Sequence, residues 1–222
     1  STGANTGIWS RDGSRVAFVS AVFPEFSAKP FADSDALNKK KLEERAANPV
    51  KARVFTRLFF RHWDEYVEDK RQHLFVLEVA EGADGLKPLG QPRDVTPGDR
   101  DAYPTSSTFS VGDDFTFSPD GKHLYFTAVP EKDEAWSTNY DICRVPVGGA
   151  ARWETITADN PAADGAPAFS PDGKWLAYRS QSRQKRRQGQ GAAQDQTAPT
   201  HQRIHRLGEL HHLAAGLGNH LF

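Results

Sequence analysis

Hydrophobic and polar positions alternate along most of the chain in short runs bounded by polar turns, the period-two pattern of half-buried strands. The clearest runs are Arg15-Val16-Ala17-Phe18-Val19, His123-Leu124-Tyr125-Phe126-Thr127 and Trp175-Leu176-Ala177-Tyr178. Each follows a copy of one phrase: Trp9-Ser10-Arg11-Asp12-Gly13, Phe117-Ser118-Pro119-Asp120-Gly121 and Phe169-Ser170-Pro171-Asp172-Gly173. Pro presets the first corner of a turn, Asp bonds the N–H groups of its own turn, and Gly adopts the left-handed conformation that closes a hairpin. The three Asp therefore read as turn formers and not as catalytic acids. The aromatic residue ahead of each turn is expected to lodge between neighbouring sheets.

Asp120 and Asp172 are 52 residues apart, close to the roughly 40–50 of one four-stranded propeller blade. In that clean unit Tyr140-Asp141-Ile142-Cys143-Arg144-Val145-Pro146-Val147 supplies a third strand, and Arg152-Trp153-Glu154-Thr155-Ile156-Thr157 a fourth. Asp12 and Asp120 are 108 apart. The strand patterns Gln72-His73-Leu74-Phe75-Val76-Leu77-Glu78-Val79 and Arg93-Asp94-Val95-Thr96-Pro97-Gly98 complete the first unit, so the surplus is an insertion between its second and third strands, from about Pro24 to Lys70. The sequence thus predicts an all-β fold: a partial β-propeller of two four-stranded blades and half of a third, with WD-like repeats and a helical insertion in the first. Such repeats bury their faces only against one another.

Within the insertion, a polar helical stretch opens at Ser34-Asp35-Ala36-Leu37, runs through Lys39-Lys40-Lys41-Leu42-Glu43-Glu44-Arg45 and stops by Asn48-Pro49. The aromatic run Arg53 to Trp63 is β-prone and expected to pack back on the blade. Asp64, Glu65, Glu68 and Asp69 fit a hairpin loop. Arg61, His62 and Trp63 are the most distinctive side chains of the insertion, with Trp63 expected to serve packing.

The expected partial propeller covers residues 1–180. Residues 181–222 carry six Lys/Arg against two Asp/Glu, five of the eight His and no Trp or Tyr. Repeat spacing would put further strands near Ala192 and His205, where the sequence shows no strand pattern, so the repeat is expected to end after Ser180 and the tail to be disordered or out-of-frame, non-homologous sequence. Arg183-Gln184-Lys185-Arg186-Arg187 resembles a nucleic-acid or targeting patch, and His201, His205, His211 and His212 resemble loose metal-ligand spacing. Without a surrounding fold neither is expected to work, and no metal or other cofactor is expected.

With 28 basic and 29 acidic residues the chain is close to neutral, which argues against nucleic acid or a membrane surface as partner. No apolar stretch is long enough to span a bilayer and no signal-peptide pattern occurs, leaving the compartment open between cytoplasm and an exported location. The single Cys143 sits beside Ile142 in a strand and reads as a buried, inert thiol.

The phrase from Gly165 to Tyr178 resembles the WD-like repeat shared by Tol-system propellers and peptidases of the prolyl oligopeptidase family. Ala21-Val22-Phe23-Pro24, followed after the charged insertion by the run from Thr56 to Tyr66 and by Gln72-His73-Leu74-Phe75-Val76, resembles the first blades of bacterial dipeptidyl-peptidase and acylaminoacyl-peptidase-like members. The resemblance covers about residues 5–180. It implies an N-terminal propeller joined to an α/β-hydrolase domain, with a serine nucleophile on a G-x-S-x-G elbow. No G-x-S-x-G occurs in this sequence. The resemblance therefore implies a substrate-gating propeller truncated before its catalytic domain, inactive alone, reaching peptide substrates through the missing hydrolase. Catalytic residues are expected to be none, and substrate contacts are unassigned. In some dipeptidyl peptidases a propeller insertion anchors the substrate amine with acidic residues. Glu43-Glu44 superficially suits that part, but Lys39, Lys40, Lys41 and Arg45 surround the pair, as on a solvated helix face. The alternative, from another class, is a non-enzymatic Tol-like propeller that binds a protein or peptide.

Overall fold

The computed structural model describes residues 1–55, 61–62, 65–66, 69–103, 114–129, 138–150, 152–181 and 200–207. Its strands are β1 (Asn5–Trp9), β2 (Arg15–Val22), β3 (Arg61–His62), β4 (Glu65–Tyr66), β5 (Arg71–Gly82), β6 (Gly85–Pro88), β7 (Arg93–Asp94), β8 (Phe115–Phe117), β9 (His123–Ala128), β10 (Asp141–Pro146), β11 (Glu154–Thr155), β12 (Asp164–Phe169), β13 (Trp175–Gln181) and β14 (Thr200–Arg206). One 3-10 turn (Pro24–Phe26) and one helix, α1 (Phe31–Ala47), lie between β2 and β5. The architecture is all-β. Three antiparallel sheets carry the core: β1-β2-β5 with β6 and β7 both on β5, then β8-β9-β10-β11, then β12-β13-β14.

The repeated phrase forms the same turn three times. Ser10, Ser118 and Ser170 each donate a hydroxyl hydrogen bond to the Asp two residues on, at 2.6, 2.6 and 2.5 Å. The same hydroxyls accept the backbone N–H of Arg15, His123 and Trp175 at 2.9, 2.9 and 3.0 Å. Gly13, Gly121 and Gly173 take φ of 71°, 67° and 72°, which only glycine adopts without strain. The turns meet in space. An Arg15 guanidinium nitrogen donates to the carbonyl of Gly121 (3.4 Å), and Gly173 lies against Pro119. They therefore share one end of the stacked sheets, and the connections from β2 to β5, β9 to β10 and β13 to β14 leave from the other.

A second repeated feature lies at the outer strands. The N–H of Leu74 donates to Thr96 Oγ1 (2.9 Å) and that of Ile142 to Thr157 Oγ1 (3.0 Å). Their carbonyls accept from Val95 (2.9 Å) and Ile156 (2.7 Å).

Alternation divides the core between two interfaces. Leu124, Phe126, Cys143 and Val145 pack with Ala17, Val19, Leu74 and Val76 of the first sheet. Tyr125, Ile142 and Ile156 pack with Leu176 and Tyr178 of the third. The central sheet is thus covered on both faces. Burying a side chain of this size stabilises by roughly 1.5–3 kcal/mol, so the two interfaces hold the stack. Phe117 and Phe169 pack against the preceding sheet as expected of the residue ahead of each turn. Trp9 does not: no described sheet precedes its own, and it is 56% exposed.

Helix α1 begins three residues before the expected Ser34, because Pro30 presets the entry and Ser34 N–H bonds its carbonyl (2.9 Å). It docks through polar atoms more than through an apolar stripe. Buried Asn38 accepts the N–H of Phe23 (2.8 Å) and donates to Ser34 O (2.8 Å), while Lys41 and Arg45 lie over the Phe23 ring at 4.1 and 4.7 Å. Phe31 meets Phe75 edge-on, and Phe75 stacks on Phe18, so the helix start covers part of the first sheet's outer face.

Strand order does not end at Ser180. β14 pairs with β13 over seven positions, from Trp175↔Arg206 to Gln181↔Thr200. This corrects the expectation that no strand occurs near His205. Thr-His-Gln-Arg-Ile-His-Arg has one aliphatic residue, so it carries no hydrophobic alternation; its backbone groups pair with the free edge of β13 regardless. Of the aromatic run, residues 56–60 and Trp63 lie outside the described residues. Phe55 stacks on Tyr66 (5.5 Å) and remains partly exposed.

Candidate functional site

The insertion end of the first sheet carries a dense polar arrangement. Odd-numbered positions at the start of β5 place Arg71, His73 and Phe75 on one face. Arg71 is buried and donates to Asp99 Oδ1 (2.8 Å) and Asp101 Oδ2 (3.0 Å), and Asp101 Oδ1 accepts the N–H of Gln72 (2.7 Å). His73 is fully buried, with Nδ1 2.7 Å from Asp94 Oδ2 and Nε2 2.9 Å from the carbonyl of Gly98. Gly98 N–H donates to Ser27 Oγ (3.0 Å), whose own hydrogen goes to Pro24 O (2.7 Å). A continuous set of hydrogen bonds therefore ties β5, β7 and the loop after β7 to the start of the insertion.

Above this set lies a cleft of about 330 Å³ between the first turn of α1 and β7. Phe31, Phe75 and Pro97 form apolar wall, and Lys29, Arg93 and Asp94 supply charge. Such a cleft can hold an apolar group and orient a polar one. Two serines line it, and both are engaged: the Ser27 hydroxyl donates to Pro24 O (2.7 Å) and Ser34 Oγ accepts from Asn38 Nδ2 (3.3 Å).

The sequence candidates separate under this geometry. Glu43 and Glu44 point to solvent and pair one turn back with Lys39 and Lys40, each at 3.9 Å. They form the ordinary exposed face of a helix. Of the acidic quartet, Asp69 is gripped by Arg45 (2.8 and 2.5 Å) and approached by Lys41 (3.6 Å), and its carboxyl is held down by those cations against the opposing effect of burial. Glu65 lies on β4, paired with His62 on β3. Asp64 and Glu68 lie outside the described residues, as do Trp63, Arg183, Lys185, Arg186, Arg187, His211 and His212. His201 and His205 lie on β14, and the His205 ring stacks on Tyr178 (5.6 Å). Among the described residues no group of three or more His, Cys, Asp or Glu could hold a metal ion. Cys143 is buried, its thiol pushed up to about 12 by burial, which keeps it a thiol at neutral pH.

Two residues stand out that the strand patterns did not flag, Asp141 at the start of β10 and Asp164 at the start of β12. Both are buried. Their one sequence signal is an acidic residue set directly against an aliphatic strand, as in Asp141-Ile142-Cys143.

No protein-family profile matches the chain. It is similar to dipeptidyl-peptidase 5 of Porphyromonas gingivalis, 32% identical over 133 residues, or 59% of this chain and 18% of that protein. Dipeptidyl-peptidase 5 of Porphyromonas endodontalis is 29% identical over 154 residues, 68% of this chain and 21% of the relative. The probable dipeptidyl-peptidase 5 of Arthroderma benhamiae is 31% identical over 136 residues, 57% of this chain and 19% of the relative. The chain spans about a fifth of the length of the curated relatives it matches. These similarities support a relationship to a family of peptidases.

Proposed function

We propose that this chain is a set of consecutive propeller blades from a dipeptidyl-peptidase-like protein, and that it restricts which peptides reach an active site carried outside these 222 residues. The observation that carries the blade reading is the exact recurrence in kind of two local structures. The Ser–Asp–Gly turn occurs on three consecutive sheets, and the threonine-capped outer strand on two. Each sheet buries one face against its neighbour through the same positions of the repeat, as radial stacking requires. The substrate-restricting role rests on similarity to the dipeptidyl-peptidase 5 sequences, together with a one-sided layout. Tight turns occupy one end of the stack, and the insertion, its cleft and the long connections occupy the other, where variable excursions serve recognition. No G-x-S-x-G occurs in these 222 residues, and on this reading hydrolysis belongs to a domain outside them.

The test is a chimera. Residues 1–181 replace the matched segment of the Porphyromonas gingivalis dipeptidyl-peptidase 5, and hydrolysis of a dipeptidyl nitroanilide is compared with that of a peptide length series. Retained turnover of short substrates with rejection of long or folded ones supports the proposal. Turnover of all lengths at equal kcat/KM contradicts it.

A further inference from the structure

The junction between the second and third sheets holds two buried carboxyls. Asp141 and Asp164 are 2% and 1% exposed, and among the described residues neither forms an ion pair. Asp141 Oδ1 accepts the hydroxyl of Thr157 (2.9 Å) while that same oxygen of Thr157 accepts the N–H of Ile142 (3.0 Å). Asp164 Oδ1 accepts Asn160 Nδ2 (2.8 Å), which also reaches Ser180 Oγ (3.1 Å) and Gln181 O (3.0 Å). Asp164 Oδ2 is buried without a hydrogen-bond partner. A hydroxyl has one hydrogen to give, so Thr157 cannot fully serve two carboxylates. Asp164 Oδ2 is left over, and the two buried carboxylates put excess negative charge at the junction, which is costly there.

The equivalent corner of the preceding unit shows what is absent. There a buried Arg71 guanidinium meets Asp99 and Asp101, and His73 meets Asp94. At the second corner the position matching His73, one residue before the threonine-capped Leu74 or Ile142, is Asp141 itself. An acid replaces a base at the same place in the repeat.

We propose that Asp141 and Asp164 form a proton-binding pair that makes the contact between the second and third sheets tighter in mildly acidic than in neutral medium. One proton removes one of the two buried charges, and with it much of that cost. The groups facing the pair are few. Asp159, in the loop after β11, adds negative charge to Asp141; Arg203 on β14 is the cation that acts on Asp164, and it also approaches the Tyr178 hydroxyl. Burial, then the charges of Asp164 and Asp159, push the Asp141 carboxyl up from 3.8 to about 6, against the opposing Thr157 hydrogen bond. Burial also raises Asp164, opposed by Ser180, Asn160 and Thr157. Because β14 brings Arg203 to the same place, the pair also couples protonation to the seating of that strand.

The sign follows from linkage. A carboxyl raised in the folded state binds its proton more tightly folded than unfolded, so its contribution is fully favourable below about 4 and is lost as pH rises through about 6. The experiment is urea unfolding of the full 222-residue chain between about pH 4 and pH 8, with Asp141→Asn and Asp164→Asn alongside. In the wild type the folding equilibrium constant falls with rising pH between about 4 and 6, by at most about tenfold per pH unit for one proton. Asp141→Asn, which keeps the shape and removes the charge, abolishes that fall and is the more stable protein at pH 7. All other groups are common to wild type and variant and cancel from the comparison. Parallel pH profiles for wild type and Asp141→Asn overturn the proposal. Should the variant fail to fold, carbon-13 NMR of aspartate-labelled wild-type chain decides: one carboxyl titrating near 6 supports the pair, and all carboxyls titrating below about 4.5 overturn it.

Discussion

A Cβ built on Gly173 falls 2.8 Å from the Cβ of Pro119, so the turn that opens the third sheet rests directly on the turn that opens the second. Real Cβ atoms do not approach a carbon that closely. The repeat therefore imposes glycine twice at this position, once through φ and once through its neighbour.

Gly13→Ala and Gly173→Ala separate the two requirements. At Gly13 nothing lies within 4 Å of an added Cβ, so only the left-handed backbone is strained, and a loss of about 1 kcal/mol is expected. Gly173→Ala adds the collision with Pro119 and is expected to cost about 2 kcal/mol or more. Urea denaturation midpoints of the two variants give the comparison, and equal losses would show that the turns are not in contact.

Strain of the opposite kind sits at the first strand of two sheets. Thr6 and Ala166 have φ of 51° and 55°, each inside a register shift, between Asn5 and Ile8 in β1 and between Gly165 and Ala168 in β12. Thr6→Gly and Ala166→Gly are each expected to stabilise by a few tenths to about 1 kcal/mol, the Thr6 change more, because a β-branched side chain tolerates this conformation worst. Thermal melting of the single variants checks both signs.

The outer-strand threonines bind the stack from inside. Thr96 is 1% exposed and its hydroxyl oxygen is the acceptor for the buried Leu74 N–H. Thr96→Val keeps the shape and orphans that donor, with an expected loss of about 1–3 kcal/mol; Thr96→Ser restores the acceptor and recovers most of it. Equal losses for the two substitutions would show that volume, not the hydrogen bond, matters there.

Turn acids give a pH dependence opposite to that of the Asp141 pair. Hydrogen bonds from Ser10, then from Ser14, lower Asp12 to about 2, and the bonds from Ser118 and Ser170 likewise lower Asp120 and Asp172. A depressed folded-state value contributes stability above the ordinary 3.8 that is lost as pH falls toward about 2. Asp120→Ala is expected to lower the urea midpoint at pH 7, by an amount that shrinks as pH falls below the ordinary 3.8.

What the sequence makes legible follows from how local each cause is. The Ser–Asp–Gly turns and the strands after them are specified within about ten residues, so three copies can be read by eye. The polar helix is visible from its punctuation, although Pro30 moves its start to Phe31. Strand β14 is invisible because its residues carry no alternation; only the open edge of β13 explains it. The cleft beside Phe31 and Phe75 and the pairing of Asp141 with Asp164 join positions far apart in the chain, and no local pattern encodes such meetings. Trp9 shows the converse. Its place in the repeat is plain, but its exposure depends on a neighbouring sheet that the phrase itself does not contain.

The central claim is that this chain contributes sheets and selectivity, not a nucleophile, to a peptidase-related protein. It is tested most directly by purifying the 222-residue chain, confirming a β-rich circular dichroism spectrum and a cooperative urea transition, and incubating it with dipeptidyl nitroanilides with and without a serine-directed fluorophosphonate. The account predicts a folded protein with no release above the buffer rate. Turnover that the fluorophosphonate abolishes would contradict it.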